Sequence, residues 1–267
     1  MRHSRRPEFE PMTDPAPQPA PDRHGKRRVR KSLVHAERGE SDDHALAVIL
    51  AGVAGAANAG GFFAVQQYTS HMTGYLAALA DNLAIGNFWL VMVSVLAISA
   101  FTAGAGFSAV LINWARDHRS HHQYSLPIAV QGGFLFCFSF GWIFNSELGR
   151  LFSIACLCFI MGMQNATITK LSGARIRTTH ATGMVTDIGI ELGRAFYGLF
   201  HRSRGAGADH RKLGILVSQV VSFLCGGIVG ALGYKALGFM FSLPLAMVLL
   251  AISVPHLVLE RAGPVEP

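Results

Sequence analysis

The sequence predicts an all-α fold: a polytopic membrane helix bundle of about six transmembrane helices and two short half-inserted helices, arranged as an inverted internal repeat. Three observations predict it. First, 51% of the 267 residues are hydrophobic and only 15% are charged, which is not the balance of a soluble domain. Second, apolar runs of about 17 to 25 residues recur, the length that a helix needs to cross a bilayer. Third, several motifs occur twice at matching places in the chain.

The first 43 residues differ in composition from everything that follows. Six prolines space out a polar segment that ends in the basic run RHGKRRVRK. Such a segment cannot bury enough apolar surface to fold, so we expect residues 1–43 to form a disordered cytoplasmic tail. Its Lys and Arg residues would hold the N-terminus inside. A nucleic-acid-binding arm is the alternative, but the basic run has no interleaved aromatic residues, and we expect no nucleic-acid partner.

The apolar runs give six predicted spans and two predicted halves, residues 44–145 and 146–260. The spans lie at about 44–66, 88–114, 126–144, 150–169, 213–234 and 238–258. Within the halves, GAANAGGFFA parallels GMQNATITKL, FTAGAGFSA parallels FLCGGIVGA, and each last span is entered through Leu-Pro. Weak internal symmetry of this kind is common in transporter folds.

A short segment that begins with His-x-Thr-Gly follows the first span of each half, and basic residues indicate whether these segments cross the membrane. If neither crosses, ten of the Lys and Arg residues beyond the tail and outside the Thr-Gly segments lie on the cytoplasmic side, and only Arg150 and Lys235 face out. If both cross, the count is six against six. The positive-inside rule therefore favours six crossings, and three crossings per half require inverted halves.

The Thr-Gly segments are HMTGYLAALAD and HATGMVTD, with candidate site residues His71, Thr73, Gly74, His180, Thr182 and Gly183. A Thr hydroxyl can cap the free N–H groups at a helix start, and Gly lets a ligand come close. Two inverted half-helices would aim their N-termini at a shared centre, which suits a small polar or anionic solute. The alternative is that these are only tight packing positions.

Carboxylates and amides complete the candidate solute site. A carboxylate at membrane depth is costly and usually functional, which draws attention to Asp81, Asp187 and Glu191. Glu191 has Arg194 three residues later as a neutralising partner. Alternatively, these carboxylates form a solvated stripe at the cytoplasmic interface. The amides at Asn58, Gln164 and Asn165 can either bond across helices or contact the solute.

Other motifs do not indicate catalysis. The run HRSHH at 118–122 matches the His-x-x-His-His box of membrane di-iron oxidases, but more ligands are needed, so a basic loop is favoured. No nucleophile-base pattern or Walker loop occurs. The cysteines are expected to be small buried hydrophobes. We therefore expect no enzyme, no metal and no cofactor.

The same residues resemble the YoaK-like family of bacterial integral membrane proteins across about residues 44–258. The motifs that carry the resemblance are HMTGYLAALADNLAIG and MGMQNATITKLSGARIRTTHATGMVTDIG. Asn58 and Tyr75 depart from the Asp and Asn that are typical of that family, which weakens the case for ion coupling shared by both halves. The resemblance implies a multi-pass inner-membrane protein and supplies no substrate.

The sequence therefore favours a small secondary transporter or permease in the bacterial inner membrane, in contact with the lipid bilayer. The alternative is a non-transport membrane protein, either a structural or assembly factor or an intramembrane enzyme. Oligomeric state is left open.

Overall fold

The computed structural model describes residues 40–118, 122–141, 146–171, 180–200 and 209–259, and in these ranges the regular elements are helices. They are α1 (Glu40–Val65), α2 (Met72–Ala84), α3 (Phe88–His118), α4 (Ser125–Phe138), α5 (Glu147–Leu171), α6 (Ala181–Phe200), α7 (His210–Leu237) and α8 (Ser242–Leu259). All of them lie in one unit, Lys31–Pro267. The predicted N-terminal tail lies outside the described residues.

The helix ends follow local sequence signals. Asp209 caps α7, because its side chain accepts a hydrogen bond from the N–H of Lys212 at 3.0 Å. Gly238, with φ of 57°, ends α7 and begins a 3-10 turn that leads into α8. Pro127 and Pro244 stand in the first turns of α4 and α8, where a missing N–H costs nothing. The Leu-Pro repeat of the sequence therefore marks two helix starts.

Helix α1 packs against α7, and glycine brings the two backbones together. A Cβ on Gly55 would collide with the carbonyl of Phe223, so only glycine allows this approach. Nearer the helix starts, His44 Nε2 and Ser218 Oγ are 2.7 Å apart in a hydrogen bond. The contacts advance together along the two helices, which therefore run parallel.

Helix α3 packs against α5 in the same way. A Cβ on Gly162 would collide with the carbonyl of Phe101. Further along, Ser108 Oγ and Thr167 Oγ1 share a buried hydrogen bond of 2.8 Å. These two helices also run parallel.

The two crossings use matching positions of the duplicated sequence. Gly162 and Phe101 align with Gly55 and Phe223, respectively. Reciprocal contacts match as well, because a Cβ on Gly104 would collide with the carbonyl of Phe159, and one on Gly226 with the carbonyl of Gly52. The first long helix of each predicted half is therefore packed against the third helix of the other.

Helices α4 and α8 occupy matching places in the sequence and run antiparallel. The ring of His122, just before α4, lies 5.6 Å from that of His256 near the end of α8. At the other end, the ring of Phe138 lies 5.3 Å from that of Phe239, just before α8. Between them, Gly132 faces Leu250.

Helix length and hydropathy indicate a multi-pass membrane protein. Four described stretches are long and apolar enough to cross a membrane: His44–Phe63, Phe88–His118, Glu147–Leu171 and His210–Val258. The last contains both α7 and α8, and α4 is a shorter apolar helix. All four cysteines are free. Cys158 is buried as expected and Cys156 is half-buried, but Cys137 and Cys225 are exposed, so the expectation of buried cysteines is wrong for these two.

Candidate functional site

The segment before α2 folds back along the end of α1. Gln66 leaves α1 with a positive φ of 57°, and Asn58 Oδ1 then accepts hydrogen bonds from Ser70 N at 3.1 Å and Ser70 Oγ at 3.0 Å. Asn58 stands seven residues before the end of α1, about 10 Å along the axis. Helix α2 therefore starts beside the body of α1, well back from its end.

Histidine, rather than threonine, organises the start of each Thr-Gly helix. His180 Nδ1 accepts a hydrogen bond from the N–H of Gly183 at 3.2 Å. In the first copy the ring of His71 lies over Gly74, where a Cβ would collide with it. Histidine and the glycine three residues later thus form one unit, in which glycine leaves room for the imidazole.

The threonines of both motifs are exposed. Thr73 and Thr182 lie on the outer side of their helices, and the carbonyl of Thr182 accepts a hydrogen bond from Thr186 Oγ1 at 2.8 Å. The sequence interpretation that made threonine the cap is replaced for α6 by the His180 contact, because that ring nitrogen already holds an N–H of the first turn.

Helices α2 and α6 bury equivalent positions. In α2 the buried residues are Tyr75 and Asn82, and in α6 they are Met184 and Glu191. Counted from the histidine of each motif, each pair stands four and eleven residues along, on one helix face. Asn82 Nδ2 donates to the carbonyl of Ala78 at 2.7 Å. The positional counterpart of Glu191 is therefore Asn82.

The other two carboxylates are more open. Asp81 is exposed and Asp187 is half-buried. They do not occupy matching positions, since Asp81 stands ten residues after its histidine and Asp187 seven. The buried carboxylate of this region is Glu191.

Glu191 joins α6 to the start of α7. Its side chain is 0% exposed and pairs with Arg194 Nη1 at 3.1 Å and Lys212 Nζ at 3.4 Å. The N–H of Asp209 donates to Glu191 Oε2 at 3.1 Å. That backbone bond lowers the pKa of Glu191, and the bond from Lys212 and the charges of both cations add to it against the opposing effect of burial.

The amides at the end of α5 have different surroundings. Gln164 is 1% exposed; its Nε2 donates to the carbonyl of Leu50 at 2.6 Å, and its Oε1 accepts from Gln131 Nε2 at 2.9 Å. Asn165 is half-buried and donates to the carbonyl of Met161 at 3.1 Å. Gln164 therefore links α1, α4 and α5.

Gln131 and His122 are polar residues that the sequence interpretation passed over. Gln131 lies inside the apolar span 126–144 and could have been singled out on that ground. His122 belongs to the run that was interpreted as a basic loop, but it is buried against His256. His256 stands in an apolar stretch of the sequence, which could have indicated that a histidine lies inside the bundle. Residues 119–121 of the run lie outside the described residues.

The contacts among the described residues do not join the N-terminal ends of α2 and α6. Helix α2 packs along α3, and α6 packs along α7. Their convergence on a shared solute site, together with Asp187, stays a prediction.

An apolar cavity of about 590 Å³ lies among α3, α4 and α5. Its lining includes Phe134, Phe138, Phe152, Phe159, Cys137 and Cys156. None of the twelve candidate site residues belongs to it. The composition of its wall suits an apolar molecule or the apolar part of a larger one.

Comparison with known proteins identifies a family and no more. No curated protein and no solved structure matches the chain. A family model described as a protein of unknown function (DUF1275) matches residues 46–254. The match confirms the resemblance to the YoaK-like proteins, which are members of that family. This multi-pass helical membrane chain belongs to the DUF1275 family.

Proposed function

We propose that this chain is a small secondary transporter or permease of the bacterial inner membrane that moves a small polar or anionic solute and is not an enzyme. The observation that carries the proposal is the exchange of helix partners: α1 packs on α7, and α5 packs on α3, through matching glycines. Internal repeats related in this way are common in transporter folds, in which one helix bundle rocks against the other.

Helix directions support an inverted repeat. Helices α4 and α8 match in sequence yet run antiparallel, as the His122–His256 and Phe138–Phe239 ring pairs indicate. If all eight helices crossed the membrane in turn, α4 and α8 would run parallel. Six crossings, with α2 and α6 left out, agree with the antiparallel pair and with the parallel α1/α7 and α3/α5 pairs.

The fold-back before α2 supports a half-inserted helix. The bonds from Ser70 to Asn58 hold the end of the non-helical segment beside α1, where Thr69 is buried, while residues 66–68 are exposed. The N-terminus of α2 would then point toward the middle of the bundle with its partial positive charge. A discontinuous helix of this kind is a usual element of transporter solute sites.

Cysteine labelling tests the topology. In a cysteine-free background, single cysteines replace the exposed Arg116, Lys170 and Lys235, and intact cells are treated with a membrane-impermeant thiol reagent. We expect labelling at 235 only, with 116 and 170 reacting after the cells are opened. Labelling of 116 and 170 from outside would establish eight crossings.

Solute binding and flux test the function. Purified full-length protein is screened for thermal stabilisation against a panel of small solutes, since a ligand that binds only the folded state raises Tm. Stabilising solutes are then tested for counterflow in proteoliposomes. We expect at least one to be exchanged. Stabilisation without exchange, or a panel that gives neither, would favour the alternative of a non-transport membrane protein.

A further inference from the structure

The buried amide pair leaves one acceptor oxygen without a partner among the described residues. Because the carbonyl of Leu50 must receive an N–H, Gln164 presents Nε2 to it and Oε1 to Gln131. Gln131 must then donate through its own Nε2, which fixes the orientation of both amides. Gln131 Oε1 accepts no hydrogen bond from any described residue, although the side chain is only 1% exposed.

The apolar cavity approaches this acceptor along the same helices. Phe134 stands one turn after Gln131 on α4, and Phe159 stands five residues before Gln164 on α5. Both line the cavity, and their rings are in edge-to-face contact with centroids 5.3 Å apart. Phe107 of α3 lies against both rings, at 6.4 Å and 5.7 Å. Phe134 and Phe159, with Phe107 against both rings, are therefore the cavity-lining residues of α4 and α5 that stand nearest to the two amides along each helix.

We propose that the cavity and Gln131 form one binding site, with Phe134 and Phe159 as the gate between them. The ligand is an uncharged small molecule with an apolar body for the cavity and an N–H or O–H donor for Gln131 Oε1. No Lys, Arg, Asp or Glu occurs at 44–65, 125–138 or 151–169, so these stretches of α1, α4 and α5 offer no counter-charge for an ion. This inference rests on the proposed function. It narrows the solute from polar or anionic molecules to uncharged molecules that carry a hydrogen-bond donor.

Access through the gate is measured with a cysteine in place of Gln131. In a cysteine-free chain, Gln131→Cys is treated with methyl methanethiosulfonate, with and without Phe134→Ala. We expect Phe134→Ala to increase the reaction rate at least about tenfold, because burial behind the rings limits thiol access. The control is Leu135→Cys, a fully buried neighbour, whose rate should not change. Equal rates with and without Phe134, or equal acceleration at both positions, would overturn the gate.

The ligand class is tested with two matched probes, butyramide, which has N–H donors, and N,N-dimethylbutyramide, which has none. We expect butyramide to raise the Tm of the purified full chain and the dimethyl compound not to. The shift should disappear in Gln131→Met and remain in Gln131→Glu, whose protonated carboxyl keeps a carbonyl. Equal shifts from both probes, no shift from either, or a butyramide shift that survives in Gln131→Met would contradict the site.

If Gln131→Met does not fold, the contrast between the two probes on the wild-type and Gln131→Glu chains decides the question. Failure of this site is distinguishable from failure of the transport proposal. A probe shift without counterflow keeps the site and removes transport. Counterflow of another solute, with no probe shift, keeps transport and removes this site.

Discussion

Helices α2 and α6 have the same spacing of histidine, glycine and two buried positions, but they differ in the residues at the buried positions. Each begins at a histidine, has glycine three residues later, and buries positions four and eleven residues from the histidine. In α2 those positions hold Tyr75 and Asn82, which have no net charge. In α6 they hold Met184 and Glu191, and Glu191 is tied by charge to α7. The duplicated motif therefore sets the geometry, and the second buried position sets how firmly the helix is held.

The largest loss of stability should come from removing the ion pairs of Glu191. We expect Glu191→Ala to lower the Tm of the purified protein clearly more than Asn82→Ala, because it leaves Arg194 and Lys212 without their shared carboxylate and the N–H of Asp209 without an acceptor. Asn82→Ala loses a local bond to Ala78, worth about 1 kcal/mol. Equal losses in the two variants would show that the charge adds nothing to α6.

The pH dependence sharpens the same contrast. Because folding lowers the pKa of Glu191, its contribution is complete above its unfolded pKa of about 4.3 and is lost as pH falls through the lower folded value. The Tm difference between wild type and Glu191→Gln should therefore be constant near neutral pH and shrink below about pH 4. Asn82→Ala should show no such trend. A Glu191→Gln difference that grows on acidification would contradict the assignment.

The contact between the histidine and the glycine of the motif should contribute less to stability. Gly74→Ala places a methyl group against the ring of His71, so we expect a loss of about 1 kcal/mol. Adding His71→Ala should recover most of it, because the obstacle is the ring. Thermal unfolding of the single and double variants measures the coupling. Additive losses would show that the imidazole is not what the glycine accommodates.

The smallest effect on stability should come from the two open carboxylates. Asp187→Asn and Asp81→Asn change charge with little change in shape, and both should leave Tm nearly unchanged. On the transport proposal, Asp187→Asn should nevertheless abolish solute binding at the predicted Thr-Gly site, whereas the exposed Asp81 should matter less. Wild-type binding in Asp187→Asn would remove this residue from the site.

The long apolar runs allowed the helices to be predicted closely. The expected span 150–169 appears as Glu147–Leu171, and 213–234 appears as His210–Leu237. The duplicated peptides also predicted which residues are equivalent, since Gly55 and Gly162 make matching contacts. Hydrophobic length and glycine spacing act locally or by repetition, and both are visible in a single sequence.

The contacts inside the candidate site were less accessible to sequence reasoning. Glu191 was named beside Asp187, but which of them turns inward depends on how α6 meets α7. The pair of Gln131 with Gln164 joins residues that are far apart in the chain, and nothing local specifies it. The capping role of His180 was missed because threonine is the commoner cap.

The exchange of partners between α1/α7 and α5/α3 also bears on how the chain is made. When α1 leaves the ribosome, the helix that its glycine face must meet has not been synthesised. Helices α1, α3 and α4 therefore enter the bilayer with these packing surfaces facing lipid or the insertion machinery, and their partners α7, α5 and α8 arrive only with the second half. Because these helix pairs join the two halves, a gene cut between α4 and α5 would yield two fragments that persist only when they are expressed together.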